Sequence, residues 1–155
     1  MVIRPAVAII ATTLVLLATT CAAEAPLSLV AGGDLVFGRF VAGTGGTLTV
    51  APNGSATAAG AVFIPASSVA SAASFAVSGE PDFIYVLTLP SDGQVSLTGS
   101  AGAMVLNGFS SSIGALGQLN SAGTQSLSIG ATLIVAGAQP PGAYAGSFSI
   151  MVEYN

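Results

Sequence analysis

The C-terminal segment decides the fold class, and it reads Tyr144-Ala145-Gly146-Ser147-Phe148-Ser149-Ile150-Met151-Val152-Glu153-Tyr154. Successive side chains of an extended chain point to opposite faces. The even-numbered residues of this segment are apolar or aromatic apart from one glycine, whereas the odd-numbered residues are mostly small or polar. This alternation predicts a β-strand over residues 144–154 with one buried face.

Similar segments continue towards the N-terminus and are separated by turn-forming residues. Proline, glycine, asparagine and aspartate cluster at residues 52–54, 90–93 and 139–142 and indicate turns there. Residues 67–74 and 110–124 are rich in small residues and lack an amphipathic stripe, so both are predicted to be loops. Many short strands with such turns are typical of a β-sandwich or barrel. The ten predicted strands cover residues 27–30, 34–41, 47–51, 56–64, 74–77, 83–89, 94–98, 103–109, 125–136 and 144–154.

The first 23 residues have the composition of a secretory signal peptide. Arg4 is followed by an apolar run over residues 6–18 and by small residues that end at Ala23, an order typical of an exported precursor. Cleavage after Ala23 leaves residues 24–155 as a single domain, which is long enough to bury a core without disulfide bonds. Two alternatives stay open for the N-terminal segment, namely an uncleaved membrane anchor and lipidation of Cys21.

The charge inventory excludes several classes of function. Residues 24–155 contain six acids and the single base Arg39, so the net charge is −5, one base minus six acids. No basic patch can neutralise phosphates, and we expect no binding to nucleic acid. The chain has no histidine, and residues 24–155 have neither cysteine nor lysine. The commonest proton shuttle and two common nucleophiles are therefore missing.

Acidic side chains are the remaining route to chemistry. Glu80 and Asp82 flank a proline, and Asp92 lies in a predicted turn. A carboxylate pair for glycoside hydrolysis needs a particular spacing in three dimensions, and a calcium site needs several convergent oxygens. We expect all three acids to be solvated loop charges, and we predict no catalytic residue, no metal site and no cofactor.

Several stretches, taken in order, resemble known bacterial families. The chain ends with a glycine, alternating apolar residues and a penultimate tyrosine. This ending resembles the C-terminal motif of chaperone–usher fimbrial subunits, and the motif residues are Gly142, Tyr144, Gly146, Phe148, Ile150, Val152 and Tyr154. The wider chain is similar to the bacterial family of domain of unknown function 4402, and the matching stretches are residues 34–38, 45–50, 75–81, 129–135 and 141–148.

The resemblance implies an all-β, immunoglobulin-like β-sandwich that lacks its last strand and is completed by a donated one. The missing strand would leave an apolar groove with unpaired backbone groups, which is a template for an incoming chain. A periplasmic chaperone would fill the groove first, pairing along residues 144–154, and a neighbouring subunit would replace it at an outer-membrane usher. The implied function is a non-enzymatic structural subunit of a surface fibre. Such a subunit is exported to the periplasm and then to the cell surface, and its partners are itself or homologous subunits.

The segment before residue 34 has two interpretations. One face of its extended form is apolar and is followed by a Gly32-Gly33 hinge, which predicts a short donor strand formed by Ala25, Leu27, Leu29 and Ala31. Alternatively, the segment is the first strand of the chain's own sandwich, and we favour this interpretation. The protein would then be a terminal subunit, or a monomeric secreted or surface-attached β-sandwich that serves in binding or adhesion.

Overall fold

The structure, a computed structural model, describes residues 24–155 of the chain. Within that range the chain forms strands and no helix, so the prediction of an all-β fold is confirmed, and its two sheets are consistent with a β-sandwich. The predicted signal peptide, residues 1–23 with Cys21, lies outside the described residues. The strands are β1 (Ser28–Gly33), β2 (Gly46–Val50), β3 (Ala56–Gly60), β4 (Ala73–Ser78), β5 (Ile84–Thr88), β6 (Val95–Gly99), β7 (Gly102–Ser111), β8 (Leu116–Gln118), β9 (Thr124–Val135), β10 (Tyr144–Ala145) and β11 (Met151–Tyr154). The described part of the chain contains no helix with the length and apolarity needed to cross a membrane.

Strand β9, which has 12 residues, organises the larger sheet. That sheet has the strand order β1-β4-β9-β7-β6-β10, with β2 also paired to β9 and β3 paired to β2, while the smaller sheet has the order β11-β5-β8. Along one edge, β9 pairs with β4 over residues 124–129 and then with β2 over residues 131–135. Gly130 lies between the two partners, where a Cβ atom would collide with the backbone of Val50. A glycine is therefore required where the edge changes partner.

The sheets enclose two adjoining hydrophobic clusters. The first is formed by β2, β6, β7 and the C-terminal half of β9, and it includes Leu48, Leu106 and Leu133. The second is formed by β4, β5 and the N-terminal half of β9, and it includes Val77 and Tyr85. Three half-buried side chains pack against both clusters and join them: Leu35, Phe109 and Phe148.

A tyrosine hydroxyl forms a hydrogen bond inside the second cluster. Tyr85 is fully buried, and its Oη donates a hydrogen bond to Gln125 Oε1 at 2.6 Å. Burial raises the pKa of Tyr85, because the ionised phenolate would lose its solvation there. A side chain at Gly117 would collide with the Tyr85 ring, so this ring also dictates glycine on the neighbouring strand β8.

The segment before β2 differs most from the prediction. Residues 34–41 were expected to be a strand, but they form only two isolated bridges, at Val36 and at Val41. Gly38, between these bridges, has a φ of 74°, a left-handed conformation that glycine adopts readily and other residues rarely adopt. This change of backbone direction interrupts the ladder, and the segment stays extended without becoming a regular strand.

Two smaller differences concern strand ends. Strand β3 ends at Gly60 rather than at residue 64, since φ is 77° at Gly60. The predicted loop over residues 110–124 contains the end of β7 and all of β8, which pairs with β5. The serines and glycines of residues 110–124 show no apolar pattern. Strand β8 is therefore formed by backbone pairing with β5 and not by a buried face of its own.

The predicted C-terminal strand is divided into two. Strand β10 pairs with β6 in the larger sheet, and β11 pairs with β5 in the smaller one. Residues 146–150 pass between the two sheet edges, and Gly146 allows a close approach, because a Cβ atom there would collide with the Ser96 carbonyl. The predicted alternation is kept, since odd-numbered residues from 145 to 153 are exposed while the half-buried residues are Tyr144, Phe148, Ile150, Val152 and Tyr154.

Candidate functional site

A groove of about 1230 Å³ opens between the N-terminal and C-terminal parts of the domain. One side is formed by residues 33–43, the N-terminal wall, and the other by residues 138–148, the C-terminal wall. Apart from Gly33 at the end of β1 and the two residues of β10, both walls lie outside the strands of the sheets. The floor between them consists of apolar side chains from β4, β6 and β7, namely Ala73, Phe75, Val95, Leu97, Met104 and Leu106.

The lining of the groove carries little charge. Among the described residues that face it, Asp34 and Arg39 are charged, and both side chains are exposed. The others are apolar residues, glycines, prolines and a few neutral polar residues. Because removing a charge from water is costly without a partner, this lining favours an occupant whose inward-facing side chains are uncharged and apolar.

The N-terminal wall pairs along one backbone edge at Val36 and Val41, and at its far end the Gly43 carbonyl accepts a 3.1 Å hydrogen bond from the Ala138 amide of the C-terminal wall. Val36 exchanges backbone hydrogen bonds of 2.8 and 2.9 Å with Ser71, and Val41 exchanges bonds of 2.9 and 3.0 Å with Phe63. Backbone groups of successive residues point to opposite sides of an extended chain. The amides on either side of Val36 therefore face away from Ser71, towards the groove, and they have no hydrogen-bond partner within the described part of the chain.

The C-terminal wall is open in the same way along part of its length. Its two β10 residues pair with β6, and the ladder ends there. The amides of Ser147, Phe148 and Ser149 form no hydrogen bond with other described residues. Two edges with free amides, on either side of an apolar floor, form an arrangement that can receive an added strand.

Aromatic side chains hold the C-terminal wall in position. Tyr144 Oη donates to the Pro140 carbonyl at 2.7 Å and accepts from Gln139 Nε2 at 3.0 Å. The ring of Phe148 meets Phe75 edge-on with 6.2 Å between centroids, and it lies 5.3 Å from the ring of Phe109. The Phe148 ring thus fixes the wall at a point where the backbone amide has no partner among the described residues.

The seven residues predicted to form the pairing strand occupy two places. Four of them line the groove: Gly142, Tyr144, Gly146 and Phe148. The other three pack against the second core cluster beside β5: Ile150, Val152 and Tyr154. Since β11 is already paired with β5, the free part of the C-terminal segment is limited to the residues around Phe148.

The candidate donor residues lie at the edge of their own sheet. Strand β1 pairs with β4, with Leu29 opposite Val77 and Ala31 opposite Phe75. Leu27 and Leu29 pack against the second core cluster, whereas Ala31 is exposed at the mouth of the groove. In this structure the segment is the first strand of its own sheet, and its donation to another copy stays a prediction.

Three hydrogen bonds fasten the beginning of this N-terminal segment. Tyr154 Oη donates to the Ala25 carbonyl at 2.6 Å and accepts from the Glu80 amide at 2.7 Å. The Ala25 amide donates to Glu80 Oε2 at 3.0 Å. The Tyr154 ring also packs edge-on against Phe83, with 5.7 Å between centroids. We call Ala25, Glu80 and Tyr154 the clasp, and all three residues are half-buried.

The three loop acids differ in their surroundings. The expectation of a solvated charge is wrong for Glu80, which is half-buried in the clasp. No sequence signal indicated this contact, because Ala25 is 55 residues away in the chain. Asp82 and Asp92 are exposed, and Asp92 Oδ1 accepts a 2.7 Å bond from the Gly108 amide. No group of three or more His, Cys, Asp or Glu residues is placed to hold a metal ion within the range described.

A family model described as domain of unknown function (DUF4402) matches residues 27–154. The matched region contains both walls and the floor of the groove as well as two of the three clasp residues, and the chain belongs to this family. Searches among curated proteins and among solved structures gave no match.

Proposed function

We propose that this member of the domain of unknown function 4402 family is a non-enzymatic structural subunit of a surface fibre, a fimbria or pilus, in which each subunit receives a strand from a neighbour. The fold is then an immunoglobulin-like β-sandwich that is incomplete in the free subunit. The chain is exported through the inner membrane, and it passes from the periplasm to the cell surface. Its partners are copies of itself or homologous subunits, and before assembly a periplasmic chaperone and an outer-membrane usher.

The observation that carries this proposal is the groove with free amides on both walls. Its volume of about 1230 Å³ exceeds the roughly 300–1,000 Å³ of typical small-molecule sites. An extended chain would pair with the free amides through its backbone, and its alternate side chains would cover the apolar floor. A small ligand would leave the wall amides without partners, so an added strand suits this site better.

The N-terminal segment of a second copy has the chemistry that the groove requires. Its inward-facing residues are uncharged, and only Glu24 is charged within residues 24–33. The pairing of β1 with β4 is irregular between Ala31 and Gly33, which supports the interpretation of the glycine pair as a hinge. The residues that would enter the groove are Ala25, Leu27, Leu29 and Ala31.

The composition supports the non-enzymatic part of the proposal. The chain has no histidine, and residues 24–155 lack cysteine and lysine. Without these groups, acid–base and nucleophilic catalysis would depend on carboxylates alone. The loop acids Glu80 and Asp92 are instead engaged by backbone amides at 3.0 and 2.7 Å.

A second candidate function is a monomeric secreted or surface-attached β-sandwich that serves in binding or adhesion. The observation in its favour is β1, which pairs within its own chain. An exposed apolar pair is also present, since Val41 at the rim of the groove and Phe63 are neighbours across a bridge and are 57% and 64% exposed. This candidate predicts specific ligand binding by the monomer, for example on a glycan array.

Binding of an added strand by residues 24–155 tests the proposal of a fibre subunit. A labelled synthetic peptide of residues 24–33 is titrated into the protein of residues 24–155, and binding is followed by fluorescence anisotropy. Leu97→Asp places a carboxylate on the floor of the groove, and we expect it to weaken peptide binding by at least about tenfold, because the charge would be buried without a partner.

The matched control is Val105→Asp in the same hairpin. Leu97 pairs with Met104, so Val105 lies on the opposite face, where it is 38% exposed. We expect Val105→Asp to bind the peptide like the wild type. Equal loss in both variants, or no peptide binding by a folded wild-type chain, would contradict the proposal. Fibres seen by electron microscopy after expression with a chaperone and usher would extend the support to the cell surface.

A further inference from the structure

We infer that the clasp keeps the N-terminal strand bound to its own chain, so that a free subunit is able to accept a strand before it is able to donate one. This inference rests on the proposed function and adds the order in which one subunit uses its two edges. It assigns Tyr154 and Glu80 a role in holding back the donor segment.

The clasp satisfies both backbone groups of one residue at the start of the donor segment. Ala25 donates its amide to the Glu80 carboxylate at 3.0 Å, and its carbonyl accepts from Tyr154 Oη at 2.6 Å. The same hydroxyl accepts the Glu80 amide at 2.7 Å. One hydroxyl therefore ties the N-terminal segment, the β4–β5 connection and the C-terminal strand together, and hydrogen bonds to a charged carboxylate are among the stronger ones.

The hydrogen bonds of the clasp differ from those of the β1–β4 ladder, because a ladder in another copy would not replace them. Moving β1 from β4 into another copy's groove would replace one set of backbone hydrogen bonds with another, so the ladder hardly favours either state. Strand β1 is also little buried, since every one of its residues except Leu29 is exposed. What the segment loses on release is therefore mainly the clasp and the half-buried contacts of Leu27 and Leu29 with the second core cluster.

The groove remains open while the clasp is closed. Strand β1 lies against β4 at the end of the larger sheet, and only Ala31 and Gly33 of β1 reach the groove lining. The free amides of both walls are thus accessible in a chain whose own donor segment is tied down. In the same molecule the accepting edges are free while the donor segment is bound, and for this reason we expect acceptance of a strand to precede donation.

Hydrogen–deuterium exchange of residues 24–155 tests the clasp. Tyr154→Phe keeps the ring against Phe83 but removes the hydroxyl, and we expect exchange of the β1 amides to rise on the order of tenfold, since two hydrogen bonds are lost. The matched control is Tyr144→Phe, because that hydroxyl lies on the same C-terminal segment but bonds only to Gln139 and Pro140. Glu80→Ala is a second variant that removes the acceptor of the Ala25 amide.

The expected pattern is faster exchange in β1 for Tyr154→Phe and Glu80→Ala, with β9 unchanged and with Tyr144→Phe equal to the wild type. Faster exchange throughout the chain would show a general loss of stability and overturn the inference, as would unchanged β1 exchange in both clasp variants. Self-association of Tyr154→Phe should also be faster than that of the wild type by on the order of tenfold, and an equal rate would overturn the proposed order.

The groove assay separates this inference from the proposed function. Binding of the peptide of residues 24–33 is measured in the same variants and should not depend on the clasp. If the peptide binds and β1 exchange is insensitive to Tyr154→Phe, the clasp inference fails while strand acceptance stands. If β1 exchange responds but no protein binds the peptide, the proposed function fails, and the clasp holds an edge strand that has no acceptor.

Discussion

Replacing Phe148 with alanine tests whether the two hydrophobic clusters form a single core. Phe148 packs against both clusters, and its ring contacts Phe75 and Phe109. It is half-buried at the end of the C-terminal wall, where the backbone has no hydrogen-bond partner within the described residues. The change therefore removes side-chain packing without breaking a ladder.

The expected cost follows from burial and ring contacts. Truncating a fully buried phenylalanine to alanine costs about 3–5 kcal/mol of unfolding free energy, and half burial reduces this to roughly 1.5–2.5 kcal/mol by the proportion of apolar area lost. Aromatic pairs contribute about 0.5–1.5 kcal/mol each when well packed. Because all three rings are only half-buried, we add about 0.5 kcal/mol for the two pairs together. We expect a loss of about 2–3 kcal/mol.

Urea unfolding followed by circular dichroism measures this loss. For an m-value of about 1.5–2 kcal/mol/M, the midpoint should fall by roughly 1–2 M. Phe63→Ala is the matched control, because it makes the same change at a ring that is 64% exposed, and we expect it to cost less than about 0.5 kcal/mol. Similar losses in the two variants would refute the reasoning, and so would a wild-type curve with two transitions, since the clusters would then unfold separately.

The remaining predictions concern one buried hydroxyl and one crowded glycine. Burial raises the pKa of Tyr85 above its ordinary value of 10.0, so the native state holds this proton more tightly than the unfolded chain. The contribution of this proton to the free energy of unfolding is complete below pH 10 and is lost as the pH rises through the raised pKa. Urea midpoints from about pH 9 to 11 should therefore fall less steeply in Tyr85→Phe than in the wild type. Parallel curves for the two proteins would exclude this role of Tyr85. Gly130→Ala should lower stability by about 2–3 kcal/mol through collision with Val50. Urea unfolding measures this loss, and Gly142→Ala, where a Cβ atom meets only ordinary contacts, should be nearly neutral in the same assay; equal effects at both positions would contradict the packing.

Local alternation and turn residues suffice to locate most strands. Strand β5 lies within the predicted residues 83–89, while β6 and β9 each begin or end within one residue of the predicted 94–98 and 125–136. Strand β6 alternates in hydrophobicity, β9 alternates along part of its length, and β5 is a short apolar run. Turn residues bound these segments, so local patterns are enough to find them. The all-β class follows from such local patterns because no segment carries a helical period.

Pairing partners are not encoded in the same local way. Residues 34–41 are rich in β-forming apolar residues and residues 144–154 alternate in hydrophobicity, yet the first segment forms only isolated bridges and the second is divided between two sheets. Alternation fixes which side chains face the core, whereas hydrogen-bond partners depend on distant segments such as the one around Ser71. The groove exists because these two extended segments lack continuous partners, so its walls were only partly predictable.

The clasp was missed for a related reason. Glu80 was expected to be solvated because a proline and an aspartate follow it, and such neighbours are typical of exposed turns. Its partners, Ala25 and Tyr154, are 55 and 74 residues away. A penultimate tyrosine on an alternating strand predicts a half-buried ring, but the partners of its hydroxyl are set by where β11 meets the segment around Ala25 and the residue Glu80.

The groove and the clasp together lead to an expectation for the free subunit. Sheet edges that are exposed are commonly protected by charged side chains, above all lysine, or by a covering segment. This chain has no lysine, and its walls present free amides beside an apolar floor. Such an edge pairs with other chains unless a partner covers it, which is the role of the chaperone in the proposed function. Because the clasp withholds the donor strands of other copies, that partner would have little competition for the groove. Two contributions would then keep the subunit from pairing with other copies: the partner covers the groove, and the clasp holds the donor segment on its own chain.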